Sequence, residues 1–449
     1  MKRLKIFPHE GSIEGTVRIP PSKYHLHRAL IFGSLAEGDT RIHGKSGALH
    51  IKDTLHALQD FGIAIQEIDN GYRVKGGAYR PTNGRIGVGS SGSTLQFMLG
   101  LGSLSSGLAP TFNGHKALRD RPIGPLLEAL GSMGVQWQAE AHKLPVTIGP
   151  GKVQGGHIRI QGTLSQWISG LLILAPFAEQ DTIVEALPPH NELTYVNLTI
   201  SMLRKFGIRV EEMAEGTQWR VPAKQTYHPA VVHIEPDLSS AAFLLVLAAL
   251  FPADIILKGL EHAGTHPEGQ IMDIIRQYGV TLDFDEQLGG TRVRRSEQHK
   301  PAERICIDMR HIPDLIPALS VAAALSEGTT TVLQNIGPGR MKESNRVKAM
   351  LQLAKMGANI KEVEDDLIIE GVGRLTGGAN ISTYNDHRVQ MAFTLASLRG
   401  EGKPTELTFP NAYRISYPEF FEHLAQLGID TGSQAKWDEE QPNEEAVNE

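Results

Sequence analysis

The sequence predicts an α/β protein of two similar domains, and three observations carry that prediction. A helical pattern closed by glycine recurs six times along the 449 residues. A second, almost wholly apolar helical pattern recurs in step with it. Each apolar helix is followed by a short β-branched segment.

The glycine-closed pattern reads "LHALQDFGI", "LEALGSMGV", "ISMLRKFGI", "IMDIIRQYGV", "MLQLAKMGANI" and "FFEHLAQLGI". Its glycines, Gly62, Gly134, Gly207, Gly279, Gly357 and Gly428, lie 71–78 residues apart. Glycine suits the left-handed position just past a helix end, and the apolar spacing before it is that of one helix face. Self-similarity at a fixed period marks a duplicated structural unit.

The apolar helices read "HRALIFGSLAEG", "STLQFMLGLGSLSSG", "SQWISGLLILAPFAEQ", "SSAAFLLVLAALFPAD", "PDLIPALSVAAALSEG" and "HRVQMAFTLASLRGEG". A helix apolar nearly all round must sit inside a layer. The segments after them, such as "DTRIHG", "DTIVEA" and "DIILKG", have strand composition. The repeating unit is thus a buried helix, a strand, a loop, an amphipathic helix, and one or two strands. Six units allow one solenoid or two three-unit domains. The segment "YHPAVVHIEPDLSS" starts a second half, which favours two domains. The expected division is 21–233 for one domain and 1–20 with 234–430 for the other. Residues 431–449 are expected to form an acidic, disordered tail, since "KWDEEQPNEEAVNE" lacks core residues.

Composition narrows the function. Charged residues make up 21% and hydrophobic residues 41%, ordinary for a globular protein. A net charge of −6 argues against a broad nucleic-acid footprint. The single cysteine, Cys306, excludes an internal disulfide framework or a CxxC metal site and suits a reducing cytosol. "MKRLKIFPHEGSIEG" lacks the apolar core of a secretory signal, and runs such as "FLLVLAALF" are too short to span a membrane. A cytoplasmic protein follows, with no membrane partner.

Polar residues gather where the buried helices begin: Lys23 to Arg28, Ser90 to Ser93, Ser165 and Gln166, Asp237 with Ser239 and Ser240, Asp314, and Asp386 to Arg388. Serine and aspartate there have a plain alternative reading as helix caps. Lysine and arginine do not cap, and cations at the positive end of a helix dipole make sense mainly with an anion between them. The loops after the strands add Lys116, Arg119 and Arg121, then Glu192 and Tyr195, then Arg340, Lys342, Glu343 and Arg346. Their bland readings are solvated surface charges, intrahelical pairs at 342–346, and an ion pair between Asp386 and Arg388. Repeats put equivalent ends on one face, so these groups are expected to converge in a cleft between domains. Arginine forks suit carboxylate and phosphate oxygens, so the inferred ligand is small and multiply anionic. His25 and His27, and likewise His262 and His266, read as packing or loop groups, and no metal site is expected.

The ordered series "PSK…HRAL", "GSSGST", "RDRPIG", "SQ" before an apolar helix, "DLSSAAF", "HIPDLIPAL", "GRMKESNR" and "TYNDHR" resembles the 5-enolpyruvylshikimate-3-phosphate (EPSP) synthase family up to about residue 425. That resemblance implies two clamp-like domains of three βαβαββ-type repeats each, an inside-out α/β barrel, with no cofactor and a monomeric state. It implies transfer of the carboxyvinyl group of phosphoenolpyruvate (PEP) to a hydroxyl of shikimate 3-phosphate in aromatic amino-acid biosynthesis. By resemblance, Lys23 touches the PEP phosphate and shuttles protons, while Asp314 and Glu343 are the acid–base carboxylates, with His387 beside them. Arg121, Gln166 and the backbone near Gly92 hold the PEP phosphate. Arg346 and Arg388 hold its carboxylate. Tyr24, Arg28, Ser165, Gln166, Tyr195, Asp314 and Lys342 face the acceptor.

Several positions depart from the family pattern. Tyr24 stands where serine is common, Gln96 where arginine is usual, and Ile415 where a basic residue is expected, although Arg414 adjoins it. Leu164 replaces the first serine of a phosphate-binding "SSQ", and Glu192 falls where a small hydroxyl often meets the acceptor phosphate. A carboxylate there would repel a phosphate by several kcal/mol, from ~332/(εr) at an effective ε of about 20. Two other readings therefore stand beside the first: a related enzyme using an unphosphorylated shikimate-like ring, and a non-catalytic anion binder.

Overall fold

The structure is a computed structural model that describes residues 2–262, 264–295, 300–430 and 435–437. It contains six four-stranded sheets of one topology and a two-stranded ladder, Leu375–Thr376 with Gly400–Glu401. In the sheet around Thr182–Leu187, that strand runs parallel to Gly156–Gln161 and antiparallel to Gln218–Val221, which pairs in turn with Glu211–Met213. The parallel pair requires a crossover, and the apolar helix Ser165–Leu174 supplies it. The antiparallel pair at the other side closes through a short turn. Each four-stranded sheet thus follows strand–helix–strand–helix–strand–strand, three of them completed by a strand from a distant part of the chain. The fold is the α/β one expected.

The first strand of two sheets comes from a distant part of the chain. Val231–His233 runs parallel to Gly38–His43 and completes the sheet that follows helix Lys23–Leu35. Ile13–Arg18 does the same for Ala253–Lys258, beside helix Leu238–Leu250. The chain accordingly falls into two compact units, Pro21–Glu235 and Met1–Pro20 with Pro236–Glu449. Each unit holds three of the sheets.

Burial follows the sequence pattern closely. All of Leu238–Leu250 and Ile316–Leu325 is buried, as their nearly continuous apolar composition requires, and so is all of His387–Leu398, polar residues included. Helix Leu49–Asp60 instead buries one face, with Ile51, Thr54, Ala57 and Leu58 inward. The six repeat-marking glycines have φ between 80° and 91°, the left-handed geometry that ends the amphipathic helices. No described helix is long and apolar enough to cross a membrane.

The tail expectation needs one correction. Ala435–Trp437 forms a strand antiparallel to Arg3–Ile6, which itself pairs with Thr405–Thr408. Arg3–Ile6 would otherwise expose an open sheet edge, and backbone pairing satisfies it without needing apolar tail residues. The rest of the expected tail lies outside the described residues.

Candidate active site

In the Pro21–Glu235 unit, Lys23 is the first residue of its helix and is buried, with Nζ 5.1 Å from the Tyr24 ring centroid. Tyr24 meets Tyr195 edge-on at 5.2 Å between ring centroids. Arg28, one turn on, is fully buried. Its Nε donates to Thr199 Oγ1 at 2.8 Å, one NH group to the Tyr24 carbonyl at 2.9 Å, and the other to the Tyr195 carbonyl at 3.2 Å. Its guanidinium also lies 4.7 Å from the Phe97 ring centroid. No described carboxylate pairs with it. Burial without a counter-charge lowers its pKa to about 9, only partly offset by Tyr24 and Tyr195.

A second group in this unit surrounds Gly92, which opens the helix Gly92–Met98 after the cap Ser91. A Cβ on Gly92 would lie 2.9 Å from an NH group of Arg121 and 3.6 Å from Gln166 Oε1. Glycine is therefore what lets those two side chains approach the backbone. Gln166 Nε2 donates to Ser93 Oγ at 3.0 Å, tying two repeats together.

Ser165, next to Gln166, is differently engaged. Its amide and hydroxyl donate to Glu192 Oε2 at 3.2 and 2.8 Å. Glu192 is buried and held at φ 57°, just before helix Leu193–Lys205. Ser165, expected to face the acceptor, thus meets an internal carboxylate at the start of helix Ser165–Leu174. Physically, free N–H groups at a helix start attract an anion, and the protein supplies its own. Arg28, expected to face the acceptor, is engaged by Thr199 and two backbone carbonyls between two helices.

In the other unit, Arg346 begins helix Arg346–Met350 and is 0% exposed, deeper than an ordinary surface arginine. Its guanidinium donates to Asp386 Oδ2 at 2.9 Å, to Glu343 Oε2 at 2.5 Å, and to Asp314 Oδ1. Arg388 reaches Asp314 Oδ2 at 3.1 Å, and Lys342 Nζ lies 3.8 Å from Asp314 Oδ1. Burial acts to lower the Arg346 pKa, but Asp386, Asp314 and Glu343 together outweigh it and hold the group more firmly charged than usual. Asp386 also caps its own helix, accepting from the Arg388 amide at 2.9 Å and from Ser344 Oγ at 2.9 Å. His387 is buried at the first position of that helix.

Among the expected site residues, Asp314, Lys342, Glu343, Arg346 and Arg388 thus share one network. Lys23, Tyr24, Arg28 and Tyr195 share another, and Gly92, Arg121 and Gln166 a third. The expected Glu343–Arg346 pair forms, but Glu343 precedes the helix rather than lying in it. Asp386 pairs with the Arg346 side chain instead of that of Arg388. Its cap position is readable from the sequence, but its partner 40 residues away is not. Thr199, which carries no charge, offers no signal at all. Ile415 is buried, and Arg414 is exposed with its guanidinium over Tyr413.

The six-repeat α/β architecture and its buried cations beside carboxylates define a protein built to handle small anions. A family model described as EPSP synthase (3-phosphoshikimate 1-carboxyvinyltransferase) matches residues 8–424. The chain is 32% identical over 422 residues to a 3-phosphoshikimate 1-carboxyvinyltransferase of Methanococcus maripaludis (strain C6), covering 93% of this chain and 96% of that protein. It is 33% identical over 438 residues to the one of Methanocaldococcus jannaschii, covering 95% and 98%. A solved EPSP synthase from Acinetobacter baumannii superposes with a TM-score of 0.77 at 26% identity, covering 98% of this chain and all of that one. The chain belongs to the EPSP synthase family.

Proposed function

We propose that this chain is a transferase that moves the carboxyvinyl group of PEP to a hydroxyl of shikimate 3-phosphate and releases phosphate. The observation that carries this reading is the Arg346 network, in a chain related to carboxyvinyltransferases over nearly its whole length. Two carboxylates, Asp314 and Glu343, hold a buried arginine that a substrate carboxylate can also take. In this reading the PEP carboxylate engages Arg346 and Arg388 and displaces them from those internal partners. Asp314 and Glu343 then carry protons, with His387 beside them. A plain anion-binding protein would gain nothing from such buried carboxylates.

Chemically, protonation of the PEP methylene carbon makes the neighbouring carbon electrophilic. The acceptor hydroxyl adds there and gives up its proton. The tetrahedral adduct then loses phosphate and returns the methylene proton, which restores the enol ether. Lys23, Arg121 and Gln166 hold the PEP phosphate, and fixed cations stabilise the charge it carries away. Tyr24, Arg28, Ser165, Gln166, Tyr195, Asp314 and Lys342 face the acceptor ring. The two compact units serve as the domains, 21–233 and 1–20 with 234–430, in a monomeric cytoplasmic enzyme. Incubation with PEP and shikimate 3-phosphate tests the reading: phosphate release is expected, and none with any shikimate-type acceptor would end it.

One observation favours a second reading of the acceptor. Glu192 already takes both donors of Ser165, so an acceptor without a phosphate would suffer less repulsion there. Turnover of shikimate comparable to that of its 3-phosphate would support this version, and a strong preference for the phosphate would remove it.

A further inference from the structure

The Pro21–Glu235 unit contains a half-buried carboxylate that the proposed chemistry leaves unused. Asp53 lies in the helix Leu49–Asp60, and its Oδ2 accepts from the Ser90 amide at 3.1 Å. The Ser91 amide donates to the Val88 carbonyl at 3.0 Å and closes the turn. Gly89 is left-handed at φ 52°, and a Cβ on it would overlap the Asp53 carboxyl. Only glycine lets the carboxylate reach past it to the Ser90 amide.

The other side of this loop is fastened too. The Val88 amide donates to the Asn113 carbonyl at 2.9 Å, and the His115 amide to the Gly89 carbonyl at 2.8 Å. One strand of this clasp leads to Gly92 and the other to Arg121, whose NH group needs the space that Gly92 leaves. The next residue on the Asp53 helix extends the grip. Thr54 Oγ1 lies 2.6 Å from Thr94 Oγ1, which donates to Ser91 Oγ at 2.7 Å, and His27 Nδ1 lies 2.7 Å from Thr54. Asp53 therefore holds the loop backbone while Thr54 holds the turn that follows it.

We infer that Asp53 is a positioning residue for the PEP phosphate, fixing the 88–91 loop so that Gly92 stays close against Arg121 and Gln166. The inference rests on the PEP-binding role proposed above. A misplacement of about 1 Å can cost about 10²-fold where geometry governs binding. Asp53 grips the loop that leads to Gly92 and is not among the expected substrate-binding residues, so its effect should fall on the substrate held at Gly92.

The test is phosphate release by the full chain, with PEP varied at saturating shikimate 3-phosphate and the reverse. Asp53→Ala is expected to raise the KM for PEP about tenfold or more, because the phosphate cradle loosens, with kcat and the KM for the acceptor changed less than about threefold. Asp53→Asn keeps an accepting oxygen and is expected to recover most of the loss. Gly89→Ala displaces the same carboxyl without removing it and should give the same split, which keeps the test open should Asp53→Ala fold poorly. An unchanged KM for PEP in both alanine variants, or an equal rise in both KM values, would overturn the inference alone. Wild-type protein that releases no phosphate would overturn the functional reading and this inference with it.

Discussion

Arg28 and Arg346 are both fully buried arginines near the start of a helix, one in each unit, yet their surroundings are opposite. Arg28 is held by a hydroxyl, two carbonyls and a phenyl face, and burial lowers its pKa to about 9. Arg346 is held by three carboxylates, which more than offset burial. The difference shows what each residue can do. Arg28 joins helices Lys23–Leu35 and Leu193–Lys205 and has no internal anion to exchange. Arg346 has several, so an incoming carboxylate can replace one of them at modest net change in charge contacts.

The largest effect should come from Arg346→Ala. It takes a cation from buried Asp386 and Asp314 and from half-buried Glu343, although Arg388 and Lys342 still face Asp314. Removing one partner of a buried pair costs about 3–5 kcal/mol. Chemical denaturation should show that loss, and kcat should fall by about 10²- to 10³-fold, as for loss of a preorganised charge contact. If Arg346→Ala were no less stable than wild type, the carboxylate network would not be the structural element described.

Arg28→Met should cost less, because it leaves no charge unpaired. A loss of about 1–3 kcal/mol is expected from the donors removed. Equal destabilisation by Arg28→Met and Arg346→Ala would break the comparison between the two arginines.

Gly92→Ala sharpens it on the phosphate side. The added methyl lies 2.9 Å from the Arg121 NH group, so the guanidinium must shift. A rise of about tenfold in the KM for PEP is expected, with the melting temperature almost unchanged, since one flexible side chain can give way. An unaltered KM would show that Arg121 does not meet the phosphate.

Glu192→Gln should have a smaller consequence. It keeps an acceptor for Ser165 but removes the charge, so the ratio of kcat/KM for shikimate 3-phosphate over shikimate should rise severalfold, as expected for relief of a like-charge contact. A ratio that stays fixed would separate Glu192 from acceptor choice.

The smallest effect is one of pH. Burial raises the Asp53 pKa to about 7, against the opposing pull of the Ser90 and Ser91 amides. A carboxyl that binds its proton more tightly when folded makes the native state less stable as pH rises from about 4 to 7, and no further change follows above that. Asp53→Asn has no proton to lose there. Its melting temperature relative to wild type should therefore be higher at pH 8 than at pH 5. A constant difference across that range would place the Asp53 pKa near its ordinary value.

Much of the architecture is legible in the sequence. Gly62 and its five counterparts mark helix ends because the left-handed φ there is a local requirement that glycine meets best. Leu238–Leu250 announces its burial because every residue on its circumference is apolar or small. Lys23 and Arg388 stand out as cations at helix starts, where local electrostatics disfavours them without an anion, and Arg121 and Arg346 as cations in the loops after strands. Glu192 stands out only as an oddity. Its partner Ser165 is 27 residues away, and no local rule pairs them.

The sequence by itself determined the sixfold unit, the helix and strand types, and the clustering of charge at helix mouths. These follow from periodicity and backbone preference, which act over a few residues. Tertiary structure alone decided the partners: Asp386 with Arg346, Thr199 with Arg28, Asp53 with Ser90, and Ala435–Trp437 with Arg3–Ile6. Each choice depends on which distant groups packing brings within hydrogen-bond reach, and in a repeated fold several similar candidates compete for every one.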